Sequence, residues 1–223
     1  MLLTRRLTQL YAGLALYAVS MAFLVHAALG VMPWDVLHQG LTRFASRWTD
    51  VSLGTMTIIV GAIVLLLWIP LRQRPGLGTV SNVVVIGIVV DLALAWLPAP
   101  DALAVRAVYL VVGVVLNAVA TAAYIGARFG PGPRDGLMTG IVARRGWPVR
   151  WVRTAIEVSV VALGWLLGGN LGAGTVLYAL AIGPLVHPLL PLFRVPERPG
   201  SPESPTREAG ELATEPAAAR APA

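Results

Sequence analysis

The sequence predicts an all-α membrane protein: a polytopic bundle of about six spanning helices, arranged as two inverted three-helix repeats. Three observations predict this class. Hydrophobic residues make up 57% and charged residues only 13% of the 223 residues, whereas charged residues make up about a quarter of a typical soluble domain. Apolar runs of membrane-spanning length recur along the chain, and a polar motif returns one hundred residues after its first copy. Together these features indicate repeated units inside a bilayer.

Six apolar segments are bounded by charges, prolines and glycine clusters, and each predicts one spanning helix. About 20 apolar residues are needed to cross a hydrocarbon core of ~30 Å. The first segment exceeds the apolar core of a secretory signal, about 7 to 15 residues, so we interpret it as a retained helix. The predicted spans cover approximately residues 7–29, 52–71, 76–97, 106–128, 148–167 and 172–192.

A short polar motif follows both the first and the fourth predicted span. GVMPWDVLHQG (residues 30–40) and GPGPRDGLMTG (residues 130–140) share the pattern G-x-x-P-x-D-x-L-x-x-G. Proline is pre-organised for the first helical position, and a carboxylate is favoured in the first turn. Each copy therefore predicts a short helix, one after span 1 and one after span 4.

The repeat extends beyond this motif. GLGTV (residues 76–80) matches GAGTV (residues 172–176) at an offset of 96. Because each half holds three spans, the second half must enter the membrane in the opposite orientation. We predict a first repeat over residues 1–97, a second over 98–193, and a disordered cytoplasmic tail over 194–223. The tail is rich in Pro, Ala and Glu and offers little apolar surface to bury.

Arginine placement predicts the orientation. With the N-terminus inside, twelve arginines of the termini and loops fall on the cytoplasmic side, against Arg43, Arg47 and Arg106 on the other. Positive loops favour the cytoplasm, so both termini are predicted to lie there.

Composition also argues against several functions. The chain has no cysteine and no lysine, so thiolate metal sites, cysteine nucleophiles and a P-loop lysine are excluded. The arginines flank the spans instead of covering one soluble face, so the expected partner is the lipid bilayer and not nucleic acid. No nucleophile–base pair or metal-ligand spacing emerges, so we expect no enzyme activity, no cofactor and no metal.

Four ionisable residues are candidates for a solute or proton path. Asp35 and Asp135 occupy the same motif position, where they either cap a short helix or lie at the tip of a re-entrant one. Asp91 and His187 match at the offset of 96 within apolar segments, where ionisable groups are costly. Both also lie near helix ends, so access to water is the alternative explanation.

Arg150 and Arg153 open the fifth predicted span. Arg153 and Glu157 are four residues apart, which favours a salt bridge on one helix face. The alternative is that Arg150 and Arg153 contact an anion or an anionic lipid. Asn117 lies within an apolar span and is expected to form a hydrogen bond with a neighbouring helix.

These motifs resemble the YczE group of bacterial multi-pass membrane proteins, which is related to the YyaS and YitT types. The resemblance is carried by LGVMPWDVLHQGL (residues 29–41), RPGLGT (74–79), GPGPRDGLMTG (130–140), VRTAIE (152–157) and GWLLGG (164–169). It covers roughly residues 5–192 and implies a bacterial inner-membrane location. It implies no catalytic residues, because the group is largely uncharacterised.

The leading functional hypothesis is secondary transport or permeation of a small solute or proton between the two halves. The alternative is a non-transporting membrane accessory or regulatory protein. A homo-oligomer is a further hypothesis. A polar cavity shared by both motif copies would favour transport, whereas a solidly packed bundle would favour the accessory role.

Overall fold

The computed structural model describes residues 2–195, which form eight α-helices and no strand. The predicted all-helical class and both short helices are confirmed. The tail predicted over 194–223 lies outside the described residues, apart from its first two. The helices are α1 (Leu2–Ala27), α2 (Pro33–Ala45), α3 (Leu53–Leu71), α4 (Leu77–Trp96), α5 (Leu103–Gly126), α6 (Pro133–Arg145), α7 (Val149–Leu166) and α8 (Ala173–Phe193).

Five of these helices, α1, α3, α4, α5 and α8, are long and apolar enough to cross a membrane. The fifth predicted span corresponds to α7, which has 18 residues and carries Arg150, Arg153 and Glu157 among them. These charges reduce its hydropathy, so a spanning role for α7 stays a prediction. The first helix begins earlier than predicted, because Arg5 and Arg6 already lie within α1.

The centre of the bundle is the antiparallel pair of α1 and α5. Arg6, near the start of α1, donates hydrogen bonds to the carbonyls of Ala127 (3.0 Å) and Arg128 (2.8 Å), just past the end of α5. Arg106, near the start of α5, donates in turn to the carbonyl of Ala27 (2.7 Å), at the end of α1. An arginine at a helix C-terminus satisfies carbonyls that lack an intrahelical partner. The two arginines thus fix both ends of the central pair.

The remaining helices pack in matching ways around this pair. Helix α4 packs on α1, and α8 packs on α5. The short helices cross over, so that α2 packs on α7 and α6 packs on α3. In the first crossing Gly164 of α7 lies against Val36 and Leu37 of α2. In the second, Gly136 of α6 lies against the Trp68 ring, whose indole N–H donates to a carbonyl of the α6 start. The two halves are therefore interleaved.

Two glycines turn the chain into the short helices. Gly30 has φ +113° and Gly130 has φ +116°, a backbone conformation that is costly for residues with a side chain. A Cβ on Gly30 would lie 2.8 Å from the Thr175 hydroxyl oxygen, and one on Gly130 would lie 3.0 Å from the Thr79 hydroxyl oxygen. The glycine that opens each motif is thus required by its turn and by close packing on α8 or α4.

Candidate functional site

The first turns of α2 and α6 meet inside the bundle. Pro33 and Pro133 occupy the first turn of their helices, as predicted, and both are buried. Each helix runs from this buried start to an exposed end. The Arg134 guanidinium lies over the Trp34 ring, 5.3 Å from its centroid, so residues at the same motif position contact each other. Such stacking is a cation–π interaction.

A cavity of about 420 Å³ adjoins this contact. Helices from both halves line it, including α1, α2 and α4 from the first and α5 to α8 from the second. Its volume falls in the lower part of the range of ligand sites, roughly 300 to 1,000 Å³. Its polar and charged lining residues are Tyr17, Asn82, Thr121, Tyr124, Arg134, Asp135, Arg153, Glu157, Tyr178 and His187.

Asp135 is the motif carboxylate that lines the cavity. Burial raises the pKa of its carboxyl group, while the guanidinium groups of Arg134 and Arg153 act in the opposite direction. The backbone N–H of Gly132 also stabilises the charged form, as expected for an acidic side chain that reaches back to the start of its helix. Asp135 therefore lies both at a helix start and beside the cavity, and its role in a solute or proton path stays a prediction.

Asp35 lies in a different environment. Its side chain is fully buried, and Oδ1 lies 3.1 Å from Nδ1 of His38, one turn further along α2. The Thr57 hydroxyl lies 3.4 Å from the same His38 nitrogen. Within residues 2–195, Asp35 Oδ2 has no hydrogen-bond partner. Asp35 is not part of the cavity lining, so the structure places the two motif carboxylates in separate surroundings.

Asp91 and His187 are also separated. The Asp91 carboxylate accepts hydrogen bonds from the backbone N–H of Gly54 (2.7 Å) and from the Ser52 hydroxyl, so it joins α4 to the start of α3. His187 lies on α8 and lines the cavity. Of the four predicted path residues, the structure brings Asp135 and His187 to one cavity and leaves Asp35 and Asp91 outside its lining.

Of the two candidate anion contacts, Arg153 lies at the cavity and Arg150 does not. Arg153 Nε lies 3.1 Å from Glu157 Oε1, so the predicted salt bridge is confirmed, and both residues line the cavity. Arg150 is exposed and lies over the Trp151 ring at 5.6 Å. It is not part of the lining.

Several site residues escape prediction from the sequence. No role is predicted for His38 from the sequence, although its spacing of three from Asp35 on a helix indicates their contact. The cavity tyrosines lie in apolar spans and give no signal of their own. The predicted interhelical role of Asn117 is confirmed, because it donates to the Ser20 hydroxyl (2.8 Å) and accepts from Tyr178 (2.7 Å). No group of three His, Asp or Glu side chains is placed to bind a metal in the part of the chain described.

The chain belongs to a family of unknown function, DUF6198, whose model matches residues 4–190. An uncharacterised protein of Haemophilus influenzae is 37% identical over 188 residues, which are 84% of each chain. The uncharacterised membrane protein YczE of Bacillus subtilis is 33% identical over 191 residues, covering 85% of this chain and 87% of YczE. The uncharacterised Bacillus subtilis protein YyaS is 24% identical over 184 residues, covering 81% and 90% respectively. No solved structure matches.

These similarities confirm the resemblance to the YczE group. Together with the five apolar helices, they establish a membrane protein.

Proposed function

We propose that the protein is a secondary transporter or permeation pathway for a small solute, with the cavity between the two motif copies as its solute site. The observation that carries this proposal is the contact of Arg134 with Trp34 beside a polar cavity. A solidly packed bundle would have favoured the accessory role. A charged cavity inside an apolar protein is expensive to maintain, so its polar lining favours solute handling.

The arrangement of the helices supports this proposal. Transporters often bind solutes where two inverted repeats meet, and broken helices aim their N-termini at the site. Here α1 and α5 are antiparallel, and the starts of α2 and α6 adjoin one cavity. Non-helical backbone at membrane depth is tolerated beside such a cavity or inside protein. The six-span inverted arrangement is the topology in which this site has access from both sides.

The proposed location is the bacterial inner membrane, with both termini in the cytoplasm, as the arginine distribution favours. In this orientation α2 starts from the outer side and α6 from the cytoplasmic side. The charged residues of α7 then belong to the cytoplasmic half of the bundle.

The test is solute flux into proteoliposomes, across a panel of amino acids, sugars, carboxylates and inorganic ions. We expect wild type to move at least one solute faster than empty vesicles do. The variant Asp135→Asn should lose roughly 10- to 100-fold in rate, because one charge-assisted contact is worth roughly 1.5 to 3 kcal/mol.

The matched control is Asp101→Asn, which removes a carboxylate from an exposed loop and should leave flux unchanged. Absence of flux for every solute would overturn the transport proposal and favour the accessory role. Equal losses of flux in Asp135→Asn and Asp101→Asn would show that the cavity carboxylate has no specific role in transport.

A further inference from the structure

The cavity lies beside a gap between two helices of the second half. Over residues 2–195, α7 packs on α2 and α6 and α8 packs on α5, but α7 and α8 form no packed pair. At Gly183 of α8, a Cβ atom would meet nothing within 4 Å. Gly183 lines the cavity. The cavity lining therefore reaches open space at Gly183, which is exposed, and this opening beside α7 and α8 is called the crevice.

The lining of this crevice changes from charged to apolar. Arg134, Arg153 and Glu157 lie on α6 and α7, whereas α8 contributes a mostly apolar wall beside His187. The apolar side chains of this wall are Ala179, Ile182, Val186 and Leu190. A polar pocket with an apolar exit matches an amphiphile better than it matches a fully polar solute.

The charged groups also lie at similar depth. At about 1.5 Å per residue, Arg153 and Glu157 are roughly 6 and 12 Å from the start of α7. On the same scale His187 is roughly 9 Å from the end of α8. In the proposed orientation both of those helix ends are cytoplasmic. The polar groups therefore lie below the cytoplasmic headgroup region, within reach of a lipid head drawn inwards from the inner leaflet.

Within residues 2–195 Arg134 forms no salt bridge, although Asp35 and Asp135 interact with its charge at longer range. In the described part of the chain, the salt-bridge contacts join Asp35 to His38 and Arg153 to Glu157. Glu157 is thus already engaged by Arg153, and the Asp135 carboxylate interacts with both arginines and with the Gly132 N–H. Arg134 has an aromatic ring on one side and the cavity beside it. An anionic group is its natural complement.

We propose that the cavity binds an amphiphile with an anionic head, seated on Arg134, while its acyl chain leaves between α7 and α8. This proposal deepens the proposed function, on which it rests for the use of the site. A volume of 420 Å³ suits a phosphate-bearing head better than a whole phospholipid, because each chain needs space of its own. The crevice at Gly183 provides the exit for that chain.

The test is native mass spectrometry of the full chain in detergent, with phosphatidylglycerol or phosphatidylcholine added. Inorganic phosphate is added separately to represent the lipid head without its acyl chain. Wild type should retain phosphatidylglycerol in preference to phosphatidylcholine. Arg134→Gln should weaken phosphatidylglycerol retention about tenfold, the effect of losing one charge-assisted contact, and Arg134→Lys should restore part of it.

Two matched controls, Arg47→Gln and Ala155→Leu, distinguish lipid bound at the site from lipid that surrounds the bundle. Arg47→Gln removes an exposed arginine that also lies 5.3 Å from an aromatic ring and should have no effect. Gly183→Leu should fill the crevice and lower retention of both lipids. Ala155→Leu, on an exposed position of α7 outside the lining, should not.

Equal retention of the two lipids by wild type, or wild-type retention by Gly183→Leu, would overturn the proposal. Competition by inorganic phosphate as strong as by phosphatidylglycerol would also overturn it, since the chain would then contribute nothing. Flux without lipid preference would refute this inference alone. Lipid preference without flux of any solute in the panel would leave it standing and refute transport of those small solutes.

Discussion

The outer helix pairs of the two halves are built on one pattern but differ in packing. In the first half α3 and α4 are in close contact, since a Cβ on Gly87 would lie 2.7 Å from the Gly54 carbonyl oxygen and would also collide with Ile58. In the second half the equivalent pair, α7 and α8, is not closely packed, and a Cβ on Gly183 would face open space. The matching helix pairs therefore differ in role: α3 and α4 pack closely, whereas α7 and α8 line the cavity.

The offset of 96 residues identifies two substitutions that accompany this difference. Gly54, which lets the start of α3 approach α4, corresponds to Arg150 at the start of α7. Asp91, whose carboxylate joins α4 to the Gly54 N–H, corresponds to His187. A long side chain replaces the glycine, and the bridging carboxylate is lost. The second half therefore lacks both of these contacts, which hold α3 and α4 together in the first half.

The largest expected difference is between leucine substitutions at the two matched glycines, Gly87 and Gly183. Gly87→Leu would drive a side chain into Ile58 and the Gly54 carbonyl, and we expect it to lower the free energy of unfolding by about 3 kcal/mol or more. Gly183→Leu faces open space and should change that free energy little. Unfolding titrations with sodium dodecyl sulfate in mixed micelles would compare them. Similar losses in both variants would show that the crevice is packed.

Removal of the two motif carboxylates should rank next. Asp35→Ala leaves His38 buried without its partner, which we expect to cost about 2 kcal/mol. Asp135→Ala removes a contact to the Gly132 N–H from a partly exposed site and should cost about 1 kcal/mol. The same titrations would measure both free energies. A larger loss at Asp135 than at Asp35 would contradict the assignment of Asp35 to the packed interior.

The smallest expected difference concerns the arginines of the central pair. Arg6→Ala and Arg106→Ala each remove hydrogen bonds to the carbonyls at the end of the opposite helix. Since both side chains are partly exposed, we expect losses of about 1 kcal/mol each. The two values should agree within about 0.5 kcal/mol. A loss in only one variant would show that these matching hydrogen bonds contribute unequally to the free energy of unfolding.

The sequence predicts more of the fold than of the site. The apolar runs, the prolines and the repeated glycines determine the helices, and they predict α2 and α6 because helix starts are encoded locally. The repeat likewise matches Arg6 with Arg106. It does not predict that Asp35 is enclosed while Asp135 faces a cavity, because that difference arises from side chains of other helices packed around each carboxylate.

Two further features show the same limit. Trp34 and Arg134 match in the repeat, but their mutual contact depends on how closely the two short helices approach. Arg150 occupies the place of Gly54 in the repeat, and the importance of a glycine at this position becomes visible only in the close packing of α3 and α4. Contacts between distant segments have no local sequence signature.

The most direct test of the central claim uses the absence of cysteine from the chain. Ala179→Cys places a single thiol on the α8 wall of the cavity, and Ala155→Cys places one on α7 outside the lining. Flux of a solute identified in the panel would be measured in proteoliposomes before and after alkylation with a bulky thiol reagent. We predict that alkylation reduces flux to the level of empty vesicles in Ala179→Cys and leaves it unchanged in Ala155→Cys. Complete alkylation of Ala179→Cys with undiminished flux would contradict the account.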